Sequence, residues 1–193
     1  MKQLVSRELI SRYRGSFLGS LWAFATPLFM LAVFSVFFNL ILQSKWSTGS
    51  SEIQPNFVTM LFTGLMVHAF FSEVLVRAPM SVQANPNFVK KIVFPIEILP
   101  LIGVCVALVH VLISIGLLIL IDYFVSGTVS IYLLWVPLIL LPLVVLASGF
   151  SWILALLGVY VRDVNQIMGP LTTALLFASP IFYSLNSLPE WLR

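Results

Sequence analysis

Five long runs of apolar residues constrain this chain more than any other feature of its sequence. They cover residues 18–42, 57–76, 98–121, 131–161 and 167–185. Each run reaches the length of about 20 residues that a helix needs to cross the hydrocarbon core of a bilayer. Only 9% of the 193 residues are charged, whereas an ordinary soluble domain has about 25%. The sequence therefore predicts an all-α integral membrane protein with five spans, and it excludes a soluble globular domain.

The basic residues predict how these spans are oriented. If the N-terminus is cytoplasmic, eight of the ten basic residues fall on the cytoplasmic side: Lys2, Arg7, Arg12, Arg14, Arg77, Lys90, Lys91 and Arg162. Because lysine and arginine are enriched in cytoplasmic loops, we expect a multi-pass protein of the cytoplasmic (inner) membrane with a cytoplasmic N-terminus. The position of these residues at the ends of spans is typical of contact with membrane lipids and argues against nucleic acid as a partner.

The N-terminal segment, residues 1–19, has the pattern of an amphipathic helix. Apolar side chains recur at every fourth position and form a ridge along such a helix: Met1, Val5, Leu9 and Tyr13. Its basic residues lie mostly away from this ridge, although one of them, Arg12, falls near it: Lys2, Arg7, Arg12 and Arg14. This arrangement predicts an interfacial helix that binds the cytoplasmic membrane surface. The alternative is a plain basic flank that only orients the first span.

Residues 78–97, which we call the connection, form the longest segment between two apolar runs. They join the second and third runs, and Lys90 and Lys91 predict a cytoplasmic position for them. If the connection forms a short helix, Phe88 and Ile92 lie on one face and could fill an apolar groove on a cytoplasmic partner. The lysines would then either meet acidic groups of that partner or anchor to lipid headgroups.

The sequence offers little for catalysis or metal binding. Its two histidines, His68 and His110, have no carboxylate pair and no cysteine at ligand spacing, and a histidine that is hydrogen-bonded to a neighbouring helix is the commoner case in a membrane. Glu73 and Arg77 stand four residues apart and are expected to form an ion pair near the end of the second span. The single cysteine, Cys105, cannot form an internal disulfide.

A source of energy for transport is not visible in the sequence. It contains no phosphate-binding Gly-Lys-Ser/Thr loop, and the centres of the runs carry no Asp, Glu, Lys or Arg of the kind that ion-driven transporters use. A transporter of this build therefore needs a second polypeptide that hydrolyses ATP. The connection is the segment that such a partner would contact.

Four sequence motifs resemble one family of transporters. They are RYRGSFLGSLW at residues 12–22 followed by Pro27, NPNFVKKIVFPIEILP at residues 85–100, RD at residues 162–163, and SPIFY at residues 179–183 with LP at residues 188–189. Together they resemble the ABC-2 type permeases that export polysaccharides. The resemblance runs the whole length of the chain, and it implies a single ABC-2 transmembrane domain over residues 1–193.

The resemblance also implies partners and a transport role. Members of this group have six spans, so the sequence is expected to stop before a sixth span. They form a homodimer and bind a separate ABC ATPase, which holds ATP and Mg²⁺, so no cofactor is expected on this chain. The implied substrate is a lipid-linked polysaccharide such as O-antigen, capsule or teichoic acid. Two alternatives remain, an ABC-2 exporter of a small molecule such as a drug or haem, and a membrane-embedded enzyme or assembly protein for lipid-linked sugars.

By the same resemblance, particular residues acquire expected roles. Residues 1–19 correspond to the interfacial helix, and the connection carries the residues that couple to the ATPase: Asn87, Phe88, Lys90, Lys91 and Ile92. Pro95 and Pro100 are expected to stiffen the link from the connection into the third span. Aromatic side chains are expected to line the sugar path, with these candidates: Phe34, Phe38, Phe62, Phe70, Phe177 and Tyr183.

Overall fold

The structure is a computed structural model, and it describes residues 1–36, 57–86, 95–126 and 135–182. Within these ranges the chain forms six α-helices, which are α1 (Lys2–Tyr13), α2 (Trp22–Val36), α3 (Phe57–Arg77), α4 (Ile98–Ser126), α5 (Val136–Tyr160) and α6 (Val164–Ala178). Two short 3-10 helices, Gly19–Leu21 and Ala78–Met80, precede α2 and follow α3. The predicted all-α architecture is confirmed for the part of the chain that the structure describes.

Three of the described helices are long and apolar enough to cross a membrane, over Leu61–Met80, Ile98–Ile121 and Leu138–Tyr160. They correspond to the second, third and fourth predicted spans, and α3 and α4 begin at the predicted residues 57 and 98. The first and fifth runs contain the shorter apolar helices α2 and α6. Residues 37–42, 131–134 and 183–185 of the predicted spans lie outside the described residues. The chain is a multi-pass membrane protein.

The fifth span differs from its prediction at its end. Its helix ends at Ala178, whereas the apolar run extends to residue 185. Ser179 has an extended backbone (φ −75°, ψ 140°), because a residue that precedes a proline is sterically disfavoured from helical geometry. After Pro180 the chain turns back towards α3, where a Cβ atom at Gly64 would lie 3.3 Å from Cγ1 of Ile181.

The main hydrophobic core lies between α3, α4 and α5. Two alanines without any exposed surface, Ala107 of α4 and Ala147 of α5, belong to this core. Small side chains let helices approach closely, which is how transmembrane helices gain packing energy in lipid. Phe71 and Phe150 add an edge-to-face contact between α3 and α5, with ring centroids 5.8 Å apart.

The first helix, α1, packs against the first third of α4. α4 has 29 residues and is therefore about 43 Å long, which exceeds the hydrocarbon thickness of about 30 Å. The surplus length is covered by α1, whose apolar residues contact those of α4: Leu4, Val5 and Leu9 with Leu99, Ile102 and Val106. The predicted N-terminal helix is confirmed over Lys2–Tyr13, and two residues of its apolar ridge, Val5 and Leu9, contact α4.

Two glycines allow the chain to turn from α1 into α2. Gly15 and Gly19 have positive φ angles of 87° and 51°, a conformation that glycine adopts without steric cost. We call the end of the bundle that contains α1, the connection and the turn between α5 and α6 the basic end. Within the described residues it carries six basic side chains: Lys2, Arg7, Arg12, Arg14, Arg77 and Arg162.

Candidate functional site: a polar cluster, a cavity and an anchored connection

A polar cluster of four side chains joins α1 to α3 and α4. It consists of Arg12, Tyr13, Glu73 and His110. The Arg12 guanidinium forms an ion pair with the Glu73 carboxylate. The imidazole Nδ1 of His110 lies 2.9 Å from Oε2 of the same carboxylate, and its Nε2 lies 3.1 Å from the hydroxyl of Tyr13. Glu73 therefore holds groups from both neighbouring helices.

The hydrogen bonds of the cluster favour one arrangement of protons. An ionised carboxylate only accepts hydrogen bonds, so Nδ1 of His110 donates to Glu73. In a neutral imidazole the other nitrogen then accepts the hydroxyl proton of Tyr13. The Arg12 guanidinium supplies the opposite charge. Its Nη1 also lies 3.0 Å from Nδ1 of His110, but in this arrangement both nitrogens are donors, so Arg12 bonds to the carboxylate. The four members hold each other in place.

A second group of charges extends the cluster towards the surface of the basic end. Arg77 Nε lies 3.5 Å from Glu73 Oε1, one helical turn away on α3. Its Nη1 lies 3.9 Å from Glu8 Oε1 on α1. The predicted pair of Glu73 and Arg77 is thus confirmed, but Glu73 also binds two partners that sequence analysis did not assign to it. The one indication of these contacts in the sequence was the position of Arg12 near the apolar ridge of α1.

The other histidine, His68, links α3 to α6. Its Nε2–H donates to the backbone oxygen of Thr172 at 3.0 Å. The prediction that each histidine is hydrogen-bonded to a neighbouring helix is confirmed for both. Among the described residues, no group of three or more His, Cys, Asp or Glu side chains is arranged to hold a metal ion.

An interhelical cavity of about 650 Å³ opens beside the polar cluster. We call it the α2–α4 cavity, because α2, α3 and α4 form most of its wall. Glu73 and Phe62 both line it, and their separation of eleven residues along α3 corresponds to about 16 Å. The remaining lining is mostly apolar and aromatic: Trp22, Ala23, Pro27, Met30, Phe34, Leu65, Met66, Ala69 and Leu176, with Ser16, Thr26, His68 and Ser114. A ligand in this cavity would meet both rings and hydrogen-bonding groups.

The candidate aromatic residues have different positions. Phe34 and Phe62 line the α2–α4 cavity. Phe70 is instead packed in the main core, with only 2% of its surface exposed, because its position on α3 faces α4 and α5. Phe177 is 67% exposed on α6 and contacts Phe182. The other two candidates, Phe38 and Tyr183, lie outside the described residues.

The first part of the connection is packed against the end of α5. Ala78 and Pro79 are buried, and a Cβ atom at Gly158 of α5 would overlap the carbonyl oxygen of Pro79. The side-chain amide of Gln83 donates a hydrogen bond to the backbone oxygen of Gly158. Glycine at position 158 is therefore required for this close approach.

The last part of the connection is attached to the same helix. The indole Nε1–H of Trp152 donates to the backbone oxygen of Glu97 at 3.0 Å. The hydroxyl of Ser151 donates to the backbone oxygen of Pro100, in the first turn of α4, at 3.1 Å. Sequence analysis assigned no role to either α5 residue. A serine followed by a tryptophan within an apolar run gave no signal of these contacts.

The remaining site predictions fall into two groups. The coupling residues predicted from the sequence, Asn87, Phe88, Lys90, Lys91 and Ile92, all lie outside the described residues. The basic residues of the N-terminal segment are described, and Lys2, Arg7 and Arg14 have exposed side chains at the basic end. Arg12 differs from these three because its guanidinium contacts Glu73.

Comparison with known proteins identifies the family. The chain is similar to the O-antigen export system permease protein RfbA of Myxococcus xanthus, with 28% identity over 187 residues that cover 97% of this chain and 69% of the relative. Two proteins of the same name from Klebsiella pneumoniae are 28% and 27% identical over 188 residues, or 97% of this chain and 70% of each relative. The profile of the family described as ABC-2 type transporter matches residues 1–193. This chain therefore belongs to the ABC-2 type transporter family.

Proposed function

We propose that this chain is the transmembrane subunit of an ATP-driven exporter that moves a lipid-linked polysaccharide across the cytoplasmic membrane. The observation that carries the proposal is the similarity, along 97% of the chain, to three permeases named for O-antigen export. Two copies of the chain would form the transport path, and a separate ABC ATPase would bind and hydrolyse MgATP. The chain itself is a permease and not an enzyme in this proposal.

The distribution of charge supports a cytoplasmic position for the basic end. Six basic side chains lie there within the described residues: Lys2, Arg7, Arg12, Arg14, Arg77 and Arg162. Basic residues close to span ends favour the cytoplasmic side of a membrane and bind anionic lipid headgroups. In this orientation the N-terminus, the connection and the turn between α5 and α6 all face the cytoplasm, where the ATPase is.

The α2–α4 cavity supports contact with an amphiphilic substrate. Its aromatic part can stack on the apolar faces of sugar rings or on a lipid chain, and aromatic rings bury much surface at little conformational cost. The polar cluster at its basic end offers fixed donors and acceptors for hydroxyl groups. We expect Trp22, an aromatic residue of the lining, to contact the substrate.

A complementation experiment tests the proposed function. The chain, in its complete natural protein and with its ATPase, would be expressed in a bacterium whose own O-antigen permease gene has been deleted and whose glycan is supplied by the matching biosynthetic genes. We expect polysaccharide to return to the cell surface. Accumulation of the glycan inside the cells, together with ATP-dependent efflux of a drug or haem, would contradict the proposal and favour a small-molecule exporter.

The role of Trp22 is tested in the same cells. We expect Trp22→Ala to reduce surface polysaccharide severalfold, because the cavity loses an aromatic wall. Phe24→Ala is the matched control, since Phe24 is also an exposed aromatic residue of α2 but does not line the cavity. Equal effects of the two substitutions at equal protein levels would remove the cavity from the transport path.

The coupling role of the connection requires a separate test. A helical spacing would put Phe88 and Ile92 on one face and Val93 on another, so Phe88→Asp should abolish both co-purification of the ATPase and export. Val93→Asp should retain both, and each variant should insert into the membrane normally. Full activity of Phe88→Asp would show that the ATPase binds elsewhere.

A further inference from the structure

Both ends of the connection are attached to one helix, α5. At the first end, Pro79 packs against Gly158 and the Gln83 amide donates to the Gly158 oxygen. At the last end, Trp152 donates to the backbone oxygen of Glu97, and Ser151 donates to that of Pro100, three residues further on in the first turn of α4. The connection is joined covalently to α3 and α4. The helix that it contacts at both ends is a third one, α5.

The attachment points are close together and lie on a stiff element. Ser151 and Gly158 are seven residues apart within the unbroken helix Val136–Tyr160, which corresponds to about 10 Å, or two helical turns. Ser151 is only 1% exposed, so its hydrogen bond is protected from competition by water. A displacement of the connection must therefore either break these bonds or move the last turns of α5.

Movement at this end of α5 would pass on to α6. The two helices are joined by a turn of three residues, Val161 to Asp163, which take part in five backbone hydrogen bonds of 3.4 Å or less. Leu154 of α5 and Met168 of α6 are buried in one cluster with Leu75 and Ala78. The end of α3, the start of the connection, α5 and α6 thus form one packed body at the basic end.

We propose that Ser151, Trp152 and Gly158 are positioning residues that transmit an ATP-driven displacement of the connection to α5 and α6. This inference rests on the proposed function, because it assumes that the ATPase acts on the connection. The sequence predicted that Pro95 and Pro100 transmit the movement of the connection to the third span, α4. The inference adds α5 and α6 to the helices that move. The side chains of α5 make the fourth and fifth spans part of the moving unit.

The test is a double substitution, Ser151→Ala with Trp152→Phe, in the complete exporter with its ATPase. It deletes two hydrogen-bond donors but keeps the buried volume and an aromatic ring. We expect the ATPase to co-purify and to hydrolyse ATP at the wild-type rate, whereas export falls about tenfold, equivalent to about 1.4 kcal/mol of lost coupling. The matched control is Ser148→Ala with Trp135→Phe, because Ser148 bonds within α5, to the oxygen of Val144, and Trp135 lies at the opposite end of that helix.

Each other outcome overturns the inference. Wild-type export in the double variant would mean that these hydrogen bonds transmit nothing, and a parallel loss of ATPase binding, hydrolysis and export would mean that they only maintain the fold. If the double variant does not accumulate, Trp152→Phe alone carries the test, because Trp152 is 47% exposed and its loss leaves no buried gap. Failure of the proposed function is distinguishable, since the wild-type exporter itself would then move no polysaccharide.

Discussion

Glu73 pairs with more side chains than any other charged residue in the described part of the chain. It lies on α3 and pairs with Arg12 of α1, His110 of α4 and Arg77 of its own helix. Its side chain is only 15% exposed, so loss of its charge would leave two guanidinium groups near a low-dielectric region without their partner. Removal of one partner from such a group is far more costly than removal of an exposed one.

This cost can be measured by substitution of glutamine. We expect Glu73→Gln to lower the free energy of unfolding by about 2 kcal/mol, the value typical of a lost hydrogen bond to a charged group. Glu8→Gln is the control, because its pair with Arg77 is exposed and 3.9 Å long, and such pairs contribute below about 1 kcal/mol. Thermal unfolding in detergent would compare the two variants, and equal losses would contradict the special role of Glu73.

Gly158 permits a second prediction about a single residue. We expect Gly158→Ala to destabilise the protein by about 1–3 kcal/mol, the usual cost of overpacking, because its new Cβ atom would overlap the carbonyl oxygen of Pro79. Gly149→Ala, on the same helix, has no atom within 4 Å of the new Cβ position, and alanine is favoured over glycine within a helix by about 0.5–1 kcal/mol. Unfolding temperatures that fall for both variants would disprove the close contact.

At the scale of single residues, sequence analysis could find only local pairs. Glu73 and Arg77 are four residues apart and were predicted to interact. Arg12 and Glu73 are separated by 61 positions and Arg12 and His110 by 98, so no periodicity within one helix can reveal that they meet. The same reason explains why Ser151 and Trp152 were not recognised, because their acceptors are 51 and 55 positions away.

Among the elements, α1 makes a contact that its sequence pattern did not predict, because it packs on α4. Its amphipathic pattern correctly predicted a helix, because one apolar residue per turn is sufficient to form a ridge. A ridge of this kind can lie against lipid or against another helix, and the pattern does not distinguish these surfaces. The helix α4 is longer than the hydrocarbon is thick, and the part that exceeds this thickness has an apolar surface on which α1 packs: Leu99, Ile102 and Val106.

Packing of α1 on α4 is tested by two neighbouring substitutions. Leu9→Asp would place a carboxylate against α4, whereas Ile10 is 65% exposed and Ile10→Asp leaves the contact intact. We expect amide hydrogen exchange of α1 to accelerate at least about tenfold in Leu9→Asp, equal to about 1.4 kcal/mol of lost protection, and to change little in Ile10→Asp. Release of α1 by Ile10→Asp alone would show that lipid, not α4, holds this helix.

For the whole molecule, the apolar runs predicted where helices form more reliably than they predicted how many helices cross the membrane. The third run began at the observed first residue of α4, Ile98, because the change from polar to apolar residues is abrupt there. The fifth run failed beyond Ala178, since Pro180 ended the helix although the hydrophobic residues continued. Hydrophobicity reports which residues avoid water, but the backbone geometry of proline decides where a helix ends.

The depth of α4 in the membrane is a prediction at this scale. Gly116 and Gly103 lie ten and 23 residues before Ser126, the last residue of α4 that the structure describes, and therefore about 15 and 35 Å from it along the helix. If Ser126 is near the membrane surface, Gly116 lies within a hydrocarbon core about 30 Å thick and Gly103 lies beyond it. Both positions have open space for a side chain, so both accept a cysteine-linked spin label.

We expect a label in Gly116→Cys to be relaxed mainly by oxygen, which dissolves in lipid, and a label in Gly103→Cys mainly by a water-soluble nickel reagent. Cys105 would be replaced by alanine in both variants, so that each carries one reactive thiol. The parent protein without cysteine is the control for background labelling. Equal oxygen relaxation at both positions would mean that the whole of α4 lies in the hydrocarbon and that α1 is immersed with it.

The helix α6 ends before the apolar run does, and this affects the thickness of the hydrophobic layer beside it. Its 15 residues measure about 22 Å, less than the hydrocarbon depth of about 30 Å, and irregular backbone at that depth is tolerated only against protein or water. Ile181 lies against Gly64 of α3, so protein shields one side of this irregular backbone, and we expect water to reach the other side. A membrane potential that falls over a distance shortened in this way would produce a stronger local electric field beside Ser179 than in the surrounding bilayer.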